Sequence, residues 1–339
     1  MHLSLHRAPA WLLLLALPFV VPAPAHADVG RLQLEQNEQE RDRHRAEHAP
    51  SDDFHLVKEY QFFLQNPPNS LTGLYRTQGM ATDGRHWFFS WQYGLEKTDH
   101  DFNTILRNSS VTPPLNVVPG IPLVLLAQGL NHIGDIDYDN GIIYASLDTT
   151  NGYTNGHVAL YNASDLSYTG IVYPLTGAPS NPHHDIASWV AIDHQRHVGY
   201  GKEYQNGNTI NVYDLHDWHF LGTITLDMAI STIQGAKVHG DWIYMSSNNA
   251  TQSVYRANLE TGHVEELFRL PTPNADREVE GIAVADGPAD DVEMYIEMVV
   301  DPDHSGDDLT NKDIHLSLFH YSNRDERDAD DGDRDDHRR

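Results

Sequence analysis

Asn131–Asp148, NHIGDIDYDNGIIYASLD, decides the fold. A Gly-Asp step opens an alternating apolar and polar run, Asp139-Asn140-Gly141 supplies a tight turn, and a second alternating run returns. Period-two alternation sends one face of each run inward, and Asn-Gly accepts the left-handed backbone that a two-residue hairpin turn requires. The stretch reads as a β-hairpin. Its plan recurs in QGMATDGRHWFFSW from Gln78, WVAIDHQRHVGYGK from Trp189, QGAKVHGDWIYMSS from Gln234 and EGIAVADGPADDVEMYIEM from Glu280. Counting the second unit from Gly134, the starts lie 56, 55, 45 and 46 residues apart, close to the period of propeller blades.

The second half of a unit repeats as well. HVALYNASDLSYTGIVYPL, NTINVYDLHDWHFLGTITL and QSVYRANLETGHVEELFRL each hold two further strands around a turn. Four strands per unit make a blade, and five units predict an all-β, five-bladed β-propeller. A six-bladed ring is the alternative, with Asn103–Gln128 as the place for part of another blade; Pro113-Pro114, Pro119 and Pro122 favour a long connection there. The alternating run Leu56–Leu64, LVKEYQFFL, precedes the first hairpin and is expected to complete the last blade beside Asp313–Ser322, which leaves no open edge in the ring.

The first blade, YRTQGMATDGRHWFFSWQYGLEK from Tyr75, resembles the corresponding blade of the secreted glutaminyl cyclotransferases, five-bladed propellers that cyclise N-terminal glutamine. The resemblance implies the architecture and a place in the secreted five-bladed propeller superfamily. That family's Asn-Glu-Leu-Glu motif is missing from this chain, so the activity is not carried over.

The ends differ in composition from the repeats. His6 and Arg7, the apolar run Trp11–Val21 and Ala25-His26-Ala27 form a signal-peptide pattern, with cleavage expected after Ala27 and a secreted or periplasmic destination. Residues 28–53 form a charged arm, helical or disordered, and 323–339 an acidic and basic tail too polar to fold; the propeller is expected over 54–322. Forty-nine acidic residues against 22 basic ones give a net charge of −27, which repels phosphate backbones and disfavours nucleic acid as a partner. No cysteine is present, so disulfide and thiolate chemistry are excluded. There is no G-x-S-x-G elbow, P-loop, dinucleotide fingerprint or H-E-x-x-H. No membrane span is expected, and a monomer is.

In a propeller, the loops that lead into the innermost strands open on one face, the usual ligand face. Gathering polar residues from those positions yields Arg76 and Gln78, then Asn131, His132 and Asp148, then His183, His184, Trp189 and Glu203, then Gln234, and finally Glu278, Glu280 and Glu297. Imidazole with carboxylate is a general acid–base set and also a ligand set for Zn²⁺; carboxylates with amide carbonyls suit Ca²⁺. His132, His183, Glu203 and Glu297 are the expected catalytic groups. Arg76, Gln78, Asn131, Trp189, Gln234 and Glu280 are expected to bind a small-molecule or glycan ligand. His132, Asp148, His184, Glu203 and Glu297 are the candidates for a divalent metal. The expectation is a secreted, metal-assisted hydrolase or lyase, or else a non-catalytic propeller that binds a glycan, peptide or protein. Asp135, at the start of an inner strand, is expected to accept backbone N–H groups from a neighbouring blade.

Overall fold

Among the described residues the hairpin repeats become twenty strands arranged as five four-stranded antiparallel blades. The computed structural model describes residues 54–63, 73–112, 116–150, 152–177, 186–205, 207–287, 291–304 and 313–323. The signal-peptide pattern, the charged arm, most of the tail, His183 and His184 lie outside these residues.

Strand β1 (His55–Phe63) comes first in the chain and is the outer strand of the last blade. Blade one holds β2 (Gly79–Thr82), β3 (Trp87–Trp91), β4 (Gly94–Thr98) and β5 (Thr104–Arg107). A two-stranded hairpin, β6 (Ser110–Thr112) and β7 (Asn116–Val118), and a single helical turn, α1 (Leu123–Leu126), fill the proline-rich connection. Blade two is β8 (His132–Asp139), β9 (Ile142–Thr149), β10 (Thr154–Asn162) and β11 (Tyr168–Pro174). Blade three is β12 (Ala191–Asp193), β13 (Val198–Gly201), β14 (Gly207–Asp214) and β15 (Phe220–Ile230). Blade four is β16 (Ile233–His239), β17 (Trp242–Ser247), β18 (Ser253–Asn258) and β19 (Val264–Arg269). Blade five is β20 (Asp276–Asp286), β21 (Val292–Asp301) and β22 (His315–Ser322), completed by β1, which pairs antiparallel from His55 opposite Ser322 to Phe63 opposite His315. The closing strand thus stands where its alternation placed it. Asn323, assigned by composition to the tail, belongs to this blade, because its Oδ1 accepts the Val292 N–H at 2.7 Å.

The inner turn of blade two has the backbone its sequence demands: Asn140 and Gly141 both take positive φ, 47° and 85°. The outer turns share a device that sequence pattern did not show. Phe102, Leu166, Trp218 and Gly262 occupy one equivalent position, all with positive φ between 57° and 74°. A left-handed residue with a side chain costs about 1–2 kcal/mol. Leu166 and Trp218 are fully buried, which returns about 1.5–3 kcal/mol, so burial decides the conformation.

The core lies in wedges between blades. Phe88 and Leu95 meet Ile136, Ala145 and Leu147 between blades one and two. Val158 and Tyr144 meet Tyr213 and Trp218 between two and three. Tyr200 and Ile210 meet Ile243 and Met245 between three and four. Leu267 and Phe268 meet Ile282 and Met294 between four and five. Met80 and Phe89 meet Ala283 and Leu318 between five and one, closing the ring.

At the axis the inner strands approach so closely that side chains are excluded. A Cβ on Gly79 would lie 2.4 Å from Cα of Asp135, and one on Gly281 would lie 2.4 Å from Cα of Gly79. Hydroxyls then link blade to blade. Ser90 Oγ donates to the Gly134 carbonyl at 2.7 Å, Ser146 Oγ lies 3.4 Å from the Ser188 carbonyl, Ser188 Oγ donates to Ile233 at 3.1 Å, and Ser246 Oγ donates to Glu280 at 2.6 Å. Those bonds run from blade one to two, two to three, three to four and four to five. In blade five the position of Ser90, Ser146 and Ser246, opposite the inner strand's glycine, is taken by Glu297.

Candidate functional site at the tunnel mouth

Asp135 occupies the axis below the mouth. It is fully buried, and its carboxylate reaches two other blades: Oδ1 accepts the Met80 N–H at 3.1 Å, and Oδ2 accepts the Ala236 N–H at 3.1 Å and Lys237 Nζ at 2.6 Å. Burial pushes this carboxyl up to about 7, against the pull of the Lys237 ammonium. Asp137 is pushed up to about 6 by burial, and its Oδ2 accepts the Ile192 N–H of blade three at 2.8 Å. Together these two acids of β8 tie blade two to blades one, three and four, which assigns them to architecture.

Above them, residues of three blades form a connected chain. His132 opens β8 directly opposite Asp148, whose carboxylate faces His132 Nδ1 at 2.8 Å. His132 Nε2 faces Gln78 Oε1, also at 2.8 Å. Gln78 Nε2 donates to the Thr77 carbonyl at 2.8 Å and toward Glu280 Oε1 at 3.5 Å. With the amide in this orientation, both imidazole nitrogens face acceptors, an arrangement that favours the doubly protonated ring. Beside it, Glu278 accepts Gln234 Nε2 at 3.0 Å and Asn248 Nδ2 at 3.5 Å. Glu278 is solvent-exposed, yet the surrounding walls desolvate it enough to raise its carboxyl, while the His132 charge pulls the other way.

Glu280 is buried and is pushed well above the usual carboxylate range by burial and by Glu278, Glu297 and Asp135. Glu297 is fully buried and is raised as strongly, by burial and then by Asp135, with Lys237 and Arg76 opposing. Neither oxygen of Glu297 has a well-formed hydrogen bond, although the Gly281 N–H comes close enough to favour its charged form.

Sequence position thus brings Gln78, His132, Asp148, Gln234, Glu278, Glu280 and Glu297 to one end of the axis. The carboxylate on His132 Nδ1 is Asp148, where the sequence pointed first to Glu203 or Glu297. Asn131 accepts the Thr150 N–H at 2.9 Å and so pins the loop after β9. Glu203 follows β13 on blade three; its backbone carbonyl accepts Lys202 Nζ at 3.1 Å, and burial brings that amine down to about 8.

Two expected ligand residues are packing residues instead. Trp189 is fully buried in the wedge between blades three and four and offers no face for stacking. Arg76 is equally buried: Nε donates to Glu96 at 2.6 Å, Nη2 donates to the Phe102 carbonyl at 2.9 Å, and the guanidinium lies 4.4 Å from the Phe62 ring of β1. It fastens the closing strand to blade one. The exposed aromatic at the rim is Tyr153, held at φ 47° with its ring edge-on to His132 at 5.4 Å.

Among the described residues, one group has metal-ligating spacing, Asp214, Asp217 and His219 in the outer turn of blade three. Its polar atoms already serve the turn: Asp214 Oδ1 accepts the His216 N–H at 2.8 Å, and Asp217 Oδ1 accepts the His219 N–H at 3.1 Å. The same turn recurs with Asp99 and Asn103, with Asn162, Asp165 and Ser167, and with Asn258, Thr261 and His263. This group is therefore a hairpin turn rich in acceptors. No described helix is long and apolar enough to cross a membrane. No family model matches the chain, and no curated protein is found that resembles it.

Proposed function

We propose that this chain is a secreted or periplasmic acid–base enzyme of the hydrolase or lyase class, acting on a small-molecule or glycan ligand at the tunnel mouth. The observation that carries this reading is the Asp148–His132–Gln78 chain with the Glu278 carboxyl beside it. Asp148 and Gln78 hold the His132 ring in a fixed orientation, and a substrate oxygen that displaces the Gln78 amide from Nε2 would receive its proton. Glu278, raised by its walls and open to solvent, is poised to take one. An acid and a base from different blades, facing one cleft, suit cleavage of a bond by hydration or elimination.

The test is turnover on a panel of nitrophenyl esters, nitrophenyl glycosides and acidic oligosaccharides. His132→Asn and Glu278→Gln should each lower turnover by about 10²–10⁴-fold with the fold intact, and the parent should show a bell-shaped pH profile. A parent without turnover on any of these, or variants as active as the parent, would remove the reading. The rim aromatic Tyr153 favours a second reading, a non-catalytic module that stacks on a glycan ring. Glycan binding that Tyr153→Ala abolishes, in a protein that leaves the glycan intact, would select it.

A further inference from the structure

The ring of hydroxyl links around the axis breaks once, between blades five and one, and the residue at the break is Glu297. Its counterparts Ser90, Ser146 and Ser246 each donate a proton to a backbone carbonyl. Glu297 makes no well-formed hydrogen bond: both carboxyl oxygens are sealed from solvent, and the Gly281 N–H comes only close enough to favour the charged form. Buried polar atoms are almost always paired, so a side chain with two open acceptors in the interior implies an occupant.

The surroundings define its chemistry. Glu297 Oε2 and Asp135 Oδ1 each lie 2.9 Å from the point a Gly281 Cβ would occupy, so the two carboxylates converge beside Gly281 at the axis. Asp135 already holds two N–H groups and the Lys237 ammonium. Glu280, near enough to Asp135 and Glu297 for their charges to raise its carboxyl, makes a single long contact, 3.5 Å from Gln78 Nε2. Of the cationic groups nearby among the described residues, Lys237 is committed to Asp135, Arg76 to Glu96 and His132 to Asp148. Glu280 and Glu297 are therefore two buried acids in excess of the local positive charge.

A proton on each would remove the charge and leave the geometry unsatisfied, since a carboxylic O–H also needs an acceptor and its second oxygen still needs a donor. A cation answers both demands. Among the described residues the donors are oxygens, and the imidazole near them, His132, has both nitrogens turned to acceptors, so this lining suits an oxygen-seeking cation.

We propose that Glu280 and Glu297 hold a hard divalent cation of the Ca²⁺ class on the propeller axis, completed by water from the mouth, which fills the break between blades five and one. The cation binds beneath the acid–base groups and does not depend on their activity.

The experiment uses the full chain, stripped with chelator and dialysed into metal-free buffer. Ca²⁺ at roughly 1 mM should raise Tm by on the order of 5 °C, and elemental analysis should find Ca²⁺ stoichiometric with protein. Glu297→Ser, which gives blade five the residue of blades one, two and four, should fold and lose both effects. Glu297→Gln, closer in shape, should lose them too if the serine variant fails to fold. Asp217→Ala, which dismantles the acceptor-rich turn of blade three, should keep them. The proposal is overturned if the parent shows no Ca²⁺ response, if Zn²⁺ alone produces one, if the response survives both Glu297 variants, or if Asp217→Ala removes it. His132→Asn separates this from the enzymatic reading: turnover should be lost there while the Ca²⁺ response remains.

Discussion

Asp135 and Glu297 are two fully buried carboxyls on one axis, facing the same glycines, and they have opposite surroundings. Asp135 receives three donors from two other blades and pairs with Lys237. Glu297 receives no well-formed hydrogen bond. The first is satisfied, and its burial is a way of holding the ring together. The second is not, and stability alone gives no reason to keep an acid where three other blades manage with serine. Hydrogen-bond satisfaction, more than burial or charge, separates an architectural carboxyl from one that awaits a ligand.

The largest effect expected from this contrast is on Asp135. Asp135→Ala leaves the Lys237 ammonium buried without its partner and frees two inner-strand N–H groups, so it should destabilise the fold by about 3–5 kcal/mol in urea unfolding. Adding Lys237→Met should recover part of that loss, with a coupling energy of roughly 0.5–3 kcal/mol from the double-mutant cycle. Additive losses would mean that the pair is not the unit holding blades two and four together.

Glu297 should behave in the reverse way. In chelator, Glu297→Met removes an unpaired acid and fills the same volume, so it should stabilise by about 1–3 kcal/mol. A variant less stable than the parent under those conditions would show that the Glu297 carboxyl has a favourable role in the cation-free fold.

The contrast also explains what was legible in the sequence. The fold was, because Asp139-Asn140-Gly141 and its four counterparts are local signals, and hairpins form from neighbours in the chain. Arg76 and Trp189 turn into wedges, which position on the mouth-facing loops does not reveal. The strand-start position of Asp135 points to its backbone N–H partners but not to Lys237. Lys237 lies 102 residues away, and the only local sign of it is a lysine inside an otherwise apolar inner strand, QGAKV. The link from Gln78 to Glu280 spans 202 residues and carries no local sign beyond a shared Gln-Gly or Glu-Gly start. The break at Glu297 was visible as one acid amid Ile296 and Met298, yet only the ring of serine bonds shows what that acid replaces.

Acid–base titration offers a finer test. Glu280 and Glu297 both have carboxyls raised above their unfolded value of 4.5, and Asp135 is raised from 3.8 to about 7. Above about pH 4.5 the folded chain therefore binds more protons than the unfolded one, and stability falls as pH rises. Surface carboxylates held low by their turns, Asp83 and Asp227 among them, act in the opposite sense and only below about pH 4. In chelator, Tm by scanning calorimetry should decline from about pH 5 to pH 8, and Glu297→Gln should flatten the slope. Ca²⁺ should flatten it as well, because the ion takes the place of the protons. A parent whose Tm rises across that range would place the ionised form of these acids in the stable fold.

The smallest effect should come from Asp217, a carboxyl that is neither sealed nor alone. It stands in an outer turn whose backbone bonds recur in three other blades with different side chains, Asp99 with Asn103, Asp165 with Ser167, and Thr261 with His263. In each of them a short polar residue accepts an N–H two to four positions on, and solvent can replace that acceptor. Asp217→Ala should leave Tm unchanged within error at neutral pH, with and without Ca²⁺. A clear loss confined to Ca²⁺-containing buffer would move the cation from the axis to this turn, and Glu297 would then lack an occupant.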